Sequence, residues 1–149
     1  MFNDFSDRSK HIFQLANKRA IQGKHCLIAH HILYAIIDDP EKYVDDILRS
    51  ICLDIDILKK QIENYLSQLK KETKLNQNTK IEDSIIKLVD IAKLLMQENR
   101  DKVVTQEILL LSLTHKDMDT KVILSNEGIT FEKLKYKIKK FRGGDIAMN

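Results

Sequence analysis

Residues 23–37 read GKHCLIAHHILYAII, and residues 99–113 read NRDKVVTQEILLLSL. The first stretch gathers His25, Cys26, His30 and His31 within seven residues. Cys26 and His30 stand four apart, a spacing that brings two ligands onto one helical face. The second stretch lies at a constant offset of 76 residues (99 − 23) and carries Asp101, Lys102, Gln106 and Glu107 at the matching positions. The apolar residues survive the shift: Leu27 and Ile28 become Val103 and Val104, and Ile32-Leu33 becomes Ile108-Leu109. A framework kept without its ligands implies that the chain needs the apolar pattern for folding. A tetrahedral zinc site also wants four ligands, and no second ligand pair stands at a recognisable spacing. The sequence therefore predicts no metal site here. A Cys–His nucleophile lacks an identifiable orienting group. An enzyme built on His25, Cys26, His30 and His31 stays as the alternative from another functional class.

The same offset holds without a gap from 6–66 onto 82–142. Ala16 falls on Ala92, Ile47-Leu48 on Ile123-Leu124, Leu58-Lys59 on Leu134-Lys135, and Ile62 on Ile138. Constant register over that length is the mark of a tandem duplication. Within each half, apolar residues recur at helical spacing, as in Ile12, Phe13, Leu15, Ala16 and Ala20. The expected fold is all-α, with eight helices arranged as two four-helix repeats in pseudo-twofold symmetry. In the first repeat Ser6 caps a helix that runs to Gly23, and a second spans about 29–38. Asp39-Pro40 opens a third, to about Ser50, and Asp54 caps a fourth. Thr105 and Thr130 are the expected caps of the second half, with Gly128 as the stop before the last helix. The expected organisation is a single domain over 1–149: repeat one at 5–70, a linker at 71–80, repeat two at 81–142 and a flexible tail at 143–149.

Composition narrows the function classes. The 149 residues are 43% hydrophobic and 32% charged, with four glycines and one proline, too few for the turns of a sandwich or barrel. No apolar run approaches the roughly 18 residues that span a bilayer, and the opening MFNDFSDRSK has no signal-peptide core. A net charge of +3 names no nucleic-acid partner. KLKYKIKKFR (133–142) is basic, but Leu134, Ile138 and Phe141 give it an apolar stripe, and it reads as a solvated helical face. Cys26 and Cys52 form no disulfide framework. The glycines at 23, 128, 143 and 144 make no phosphate-binding G-x-x-x-x-G-K-[ST] loop, so the expectation is a non-enzymatic chain with no cofactor of its own.

The repeats disagree most on their first helices. Lys10, Lys18 and Arg19 become Ile86, Leu94 and Leu95, so SIIKLVDIAKLLM (84–96) is apolar around most of its circumference. Two readings stay open: a helix sunk against the other repeat, or a groove for an apolar partner.

The opening residues Met1, Phe2, Phe5, Ser6, Asp7, Arg8 and Ser9, then Gly23, then Ala29-His30-His31-Ile32-Leu33-Tyr34-Ala35-Ile36, together with the duplication, carry a resemblance. They resemble the N-terminal domain of Clp-type AAA+ unfoldases, with an opening similar to the ClpC branch and an ending, KKFRGGD, similar to the ClpB branch. The resemblance implies a platform that binds unfolded or misfolded substrates, or an adaptor protein, for threading by an ATPase ring outside this chain. It implies a monomeric isolated domain, a hexameric full-length parent that alone carries ATP and magnesium, and neither nucleic acid nor membrane as partner. The implied compartment is the cytoplasm of a bacterium, or a plastid or mitochondrion. A free-standing accessory protein of the same fold is the alternative. By the ClpB pattern, an apolar groove falls on Ile91, Leu95 and Ile108, with Ser6, Asp101 and Glu107 as its polar neighbours. By the ClpC pattern, the first phosphoarginine-binding glutamate falls on His30 and the second on Gln106, or on Glu107 if the register slips by one residue, which removes one or both carboxylate acceptors for a guanidinium.

Overall fold

The computed structural model describes residues 1–71 and 82–143. Among these, the chain forms α1 (Asp7–Gln22), α2 (Ala29–Asp38), α3 (Asp45–Arg49), α4 (Ile55–Ser67), α5 (Asp83–Glu98), α6 (Gln106–Leu113), α7 (Thr120–Ser125) and α8 (Phe131–Arg142). The expected linker and tail fall largely outside the described residues.

Local chemistry explains the helix ends. Ser6 Oγ accepts from the Ser9 amide, Thr105 Oγ1 from Ile108, and Thr130 Oγ1 from Lys133, while the Asp54 carboxylate accepts from Asp56 and Ile57. Each satisfies an amide that the first helical turn leaves open. The first helix of each repeat closes identically. Lys24 donates to the Ile21 carbonyl and His25 to Ala20; at matching positions Arg100 donates to Gln97 and Asp101 to Met96. The left-handed residue of that closure is Lys24 in one repeat (φ 59°) and Arg100 in the other (φ 61°). Gly23 itself takes a right-handed conformation (φ −82°), and a Cβ there would lie 2.8 Å from Nδ1 of the His25 side chain, a contact that a turn of that ring relieves.

The third helix starts later than the sequence suggests. Asp39 closes α2 and does not open α3; its buried carboxylate accepts from the Glu41 amide in a local turn and is held by Arg8 and Gln106. Lys42 then takes a left-handed conformation (φ 51°), and the helix begins only at Asp45. A proline after aspartate fits a turn as well as a helix start, and here tertiary ties to the carboxylate select the turn.

The core is built around α2 and α6. From Ala29 to Ile36 and from Gln106 to Leu113 every residue is buried, so both helices are covered on all sides. The two pack on each other; α1 and α4 flank α2, and α5 and α8 flank α6. The repeats also interlock. Helix α1 touches α6 as α5 touches α2, and α3 packs on α8 as α7 packs on α4. The N-terminal segment completes the junction. Phe5 bridges Val104, the Asp4 carbonyl accepts from the Val104 amide, and Phe2, Phe5 and Phe13 form a cluster with centroids 4.8–5.6 Å apart, in which Phe5 meets the other two rings edge to face. No helix of the described residues is long and apolar enough to cross a membrane.

Candidate functional site

The duplication offers a control for function: a residue that differs between matching positions is one that the fold does not demand. Helix α5 is the clearest case. Ile91 and Leu95 point inward, 8% and 5% exposed, and Ile108 of α6 is fully buried. All three belong to the core cluster. The outer side of α5 is also apolar, because Ile86 is 41% and Leu94 51% exposed. At the matching places on α1 stand Lys10 and Lys18, both solvent-facing. The helix thus buries one apolar face and presents part of a second.

The polar residues expected beside these positions fall into two groups. Ser6 spends its hydroxyl on the α1 cap and its amide on the Val104 carbonyl, which also accepts from Ser9 Oγ at 2.8 Å. Asp101 and Glu107 meet in one cluster around Arg142. The guanidinium gives Asp101 two bonds of 2.8 Å from Nη1, reaches Glu107 Oε1 from Nη2 at 2.8 Å, and donates to Thr105 Oγ1 at 3.0 Å. Asp101 and Glu107 side chains are 0% and 11% exposed, so the cluster is a shielded charge network. Burial alone would lower the Arg142 pKa; the hydrogen bonds that it donates to Asp101 and Glu107 outweigh it and raise the value. No local pattern announces Arg142, whose partners lie 35 to 41 positions away. The apolar Leu66 at its matching place was the one available sign.

The first repeat fills the same slots with imidazoles. His30 lies flat on Tyr65 with centroids 3.8 Å apart, and His25 and His31 are 6.0 Å apart. Desolvation lowers His30 to a pKa of about 4, against a partial pull from Asp119. His31 also falls to about 4, through desolvation and then the neighbouring His25. His31 accepts the Ile28 amide at Nδ1, which keeps its ring proton on Nε2 and leaves no lone pair for an ion. The described residues contain no group of three or more His, Cys, Asp or Glu placed to hold a metal. Gln106, matching His30, instead donates to the buried Asp39 carboxylate at 3.3 Å, beside Arg8, which also pairs with Glu41.

Residues 4–127 match the model of the Clp repeat N-terminal domain. The chain belongs to that family. Solved relatives agree in fold across nearly the whole length. The Hsp104 N-terminal domain from Candida albicans superposes with a TM-score of 0.84 at 20% identity, covering 99% of this chain and 97% of that one. The N-domain of ClpV from Vibrio cholerae gives 0.76 at 21%, covering 98% and 89%. The N-terminal domain of the chaperone ClpD from Arabidopsis thaliana gives 0.67 at 14%, covering 95% and 99%. No curated protein sequence matches the chain. As a Clp N-terminal domain, the chain corresponds to the non-catalytic leading domain of Clp ATPases.

Proposed function

We propose that this Clp N-terminal domain recruits unfolded or misfolded protein, directly or through an adaptor, for an ATPase ring carried by a full-length parent. The outer face of α5 is the contact surface. One observation carries the reading: Ile86 and Leu94 are exposed where the duplicate helix carries Lys10 and Lys18. Exposed apolar side chains kept in place of tolerated lysines mark a surface that binds apolar segments. Ile91, Leu95 and Ile108 lie in the core behind this face, while Ser6 is tied to Val104 and Asp101 and Glu107 to Arg142. Each captured apolar side chain contributes at roughly 25 cal/mol per Å² removed from water. Ordering a disordered segment offsets much of that gain, so capture is weak and reversible, as delivery to a pore requires. ATP and magnesium belong to the ring, and the domain itself works as a monomer without cofactor.

The experiment is an anisotropy titration with a fluorescently labelled, permanently unfolded protein. The variant Ile86→Lys/Leu94→Lys copies the first repeat's lysines and so leaves the core untouched. Wild type is expected to bind and the variant to lose at least about tenfold in affinity, roughly 1.4 kcal/mol. Equal binding by both would sink the α5 reading.

A further inference from the structure

A second surface, built by α7 and the start of α8, has no part in the α5 reading. A cleft of about 560 Å³ opens there between the end of α6, α7 and the first turn of α8. Val122, Ile129 and Phe131 give it an apolar lining, and Lys116, Lys121 and His115 stand among the same lining residues, with Glu132 as the acid. Val122 is 57% exposed, and Lys135 Nζ sits 5.8 Å from the Phe131 ring centroid, extending the basic border. Beyond it α8 continues basic and partly apolar, with Tyr136 and Phe141 more than half exposed and Lys140 over the Tyr136 ring.

The first repeat holds the matching slot, and its charge is opposite. A smaller cleft of about 300 Å³ is lined by Arg49, Leu53, Asp54, Ile55 and Asp56. These match Ser125, Ile129, Thr130, Phe131 and Glu132. Where the second repeat has Lys121-Val122, the first has Asp45-Asp46. The helix α4 carries as many acids as lysines over Ile55–Ser67, whereas α8 carries Glu132 against five lysines and Arg142. One backbone therefore accepts either sign at this place, and folding explains neither the lysines nor the open apolar lining of the second repeat.

We propose that the α7–α8 cleft is a docking site for an acidic segment of a partner protein that inserts an apolar side chain between the lysines. The apolar lining takes the anchor. The lysines of the cleft and of α8 attract the flanking carboxylates, which sets orientation and speeds encounter. A partner held there leaves α5 open, so recruitment of a partner and capture of an unfolded segment proceed together on one domain.

The test uses a short fluorescein-labelled peptide in which phenylalanine is flanked by aspartates and glutamates. Two control peptides replace the phenylalanine by serine or the acids by lysine. The variant Lys121→Asp/Val122→Asp imports Asp45-Asp46 of the first repeat, a pair that this backbone accommodates, and circular dichroism verifies its helix content. The expected result is binding of the acidic apolar peptide that weakens with added salt, and at least about tenfold weaker binding by both controls and by the variant. The variant should still bind the unfolded protein, whereas Ile86→Lys/Leu94→Lys should still bind the peptide, which separates failure of this site from failure of α5. Four results would overturn the proposal. The peptide could bind no better than its controls, or equally to the variant. A single-stranded RNA oligonucleotide could displace it at equal affinity, marking a general polyanion surface. Sedimentation could show a wild-type dimer that the variant dissolves, which would make a second copy the occupant.

Discussion

Arg142 shows how one residue can organise a charge cluster without a local signature. It fills the place that Leu66 fills in the first repeat and gathers Asp101, Thr105 and Glu107, none of them its neighbours in sequence. Removing it leaves two shielded carboxylates uncompensated, which costs far more than the ion pair is worth against an apolar substitute. Arg142→Ala should therefore destabilise the domain by about 3 kcal/mol in urea unfolding. The triple change Asp101→His/Glu107→His/Arg142→Leu copies the first repeat's His25, His31 and Leu66 and should recover most of that loss. If Arg142→Ala unfolds like wild type, the network contributes nothing to stability. Asp101 and Glu107 were recognisable from the duplication as positions where the halves differ. Their shared guanidinium was not, because three residues converge from separate elements.

At the scale of the helix, α2 and α6 share a buried stretch and differ in chemistry. Ala29–Ile36 and Gln106–Leu113 are buried throughout, yet α2 accommodates His30 and His31 as neutral rings. Their folded pKa values of about 4 lie below the ordinary 6.5. As pH falls from 6.5 towards 4, the unfolded chain takes up protons that the folded chain refuses, so stability declines across that window and these two rings add no further slope below it. A full shift is worth at most roughly 3 kcal/mol per ring, and residual solvent contact reduces it. Urea midpoints measured from pH 7 to 4.5 should fall, and His30→Gln, which places the second repeat's residue in α2, should flatten the decline. An unchanged slope would show that His30 is already protonated or exposed in the fold. The helical period and the caps at Ser6, Asp54, Thr105 and Thr130 were legible in the sequence because they depend on near neighbours. The start of α3 was not, since the Asp39 carboxylate is claimed by Arg8 and by Gln106, 67 positions away.

Across the whole molecule, the repeats are alike in sequence pattern but are not independent structures. Helices α2 and α6 bury against each other, α3 packs on α8, and α7 packs on α4. Residues 1–71 alone would expose the face of α2 that α6 covers, and an apolar helix with an open side lacks the burial that offsets chain entropy. The isolated first repeat should show little cooperative structure, whereas the whole domain should unfold in one transition, coincident by circular dichroism and tyrosine fluorescence. Two transitions in the whole domain, or a folded isolated repeat, would refute the interlocked core. The amino-acid sequence by itself determined the helix class, the duplication and the apolar framework, because period, capping and register are properties of residues a few positions apart or at one constant offset. It also marked α5 as the helix on which the halves part ways. Only the tertiary structure decided which apolar side of α5 is core and which faces water, that Arg142 joins Asp101 to Glu107, and that the α7–α8 slot is basic where its counterpart is acidic. Each of these depends on side chains brought together across the pseudo-twofold arrangement, and burial and charge at such junctions are set by what packs opposite, which local sequence does not encode.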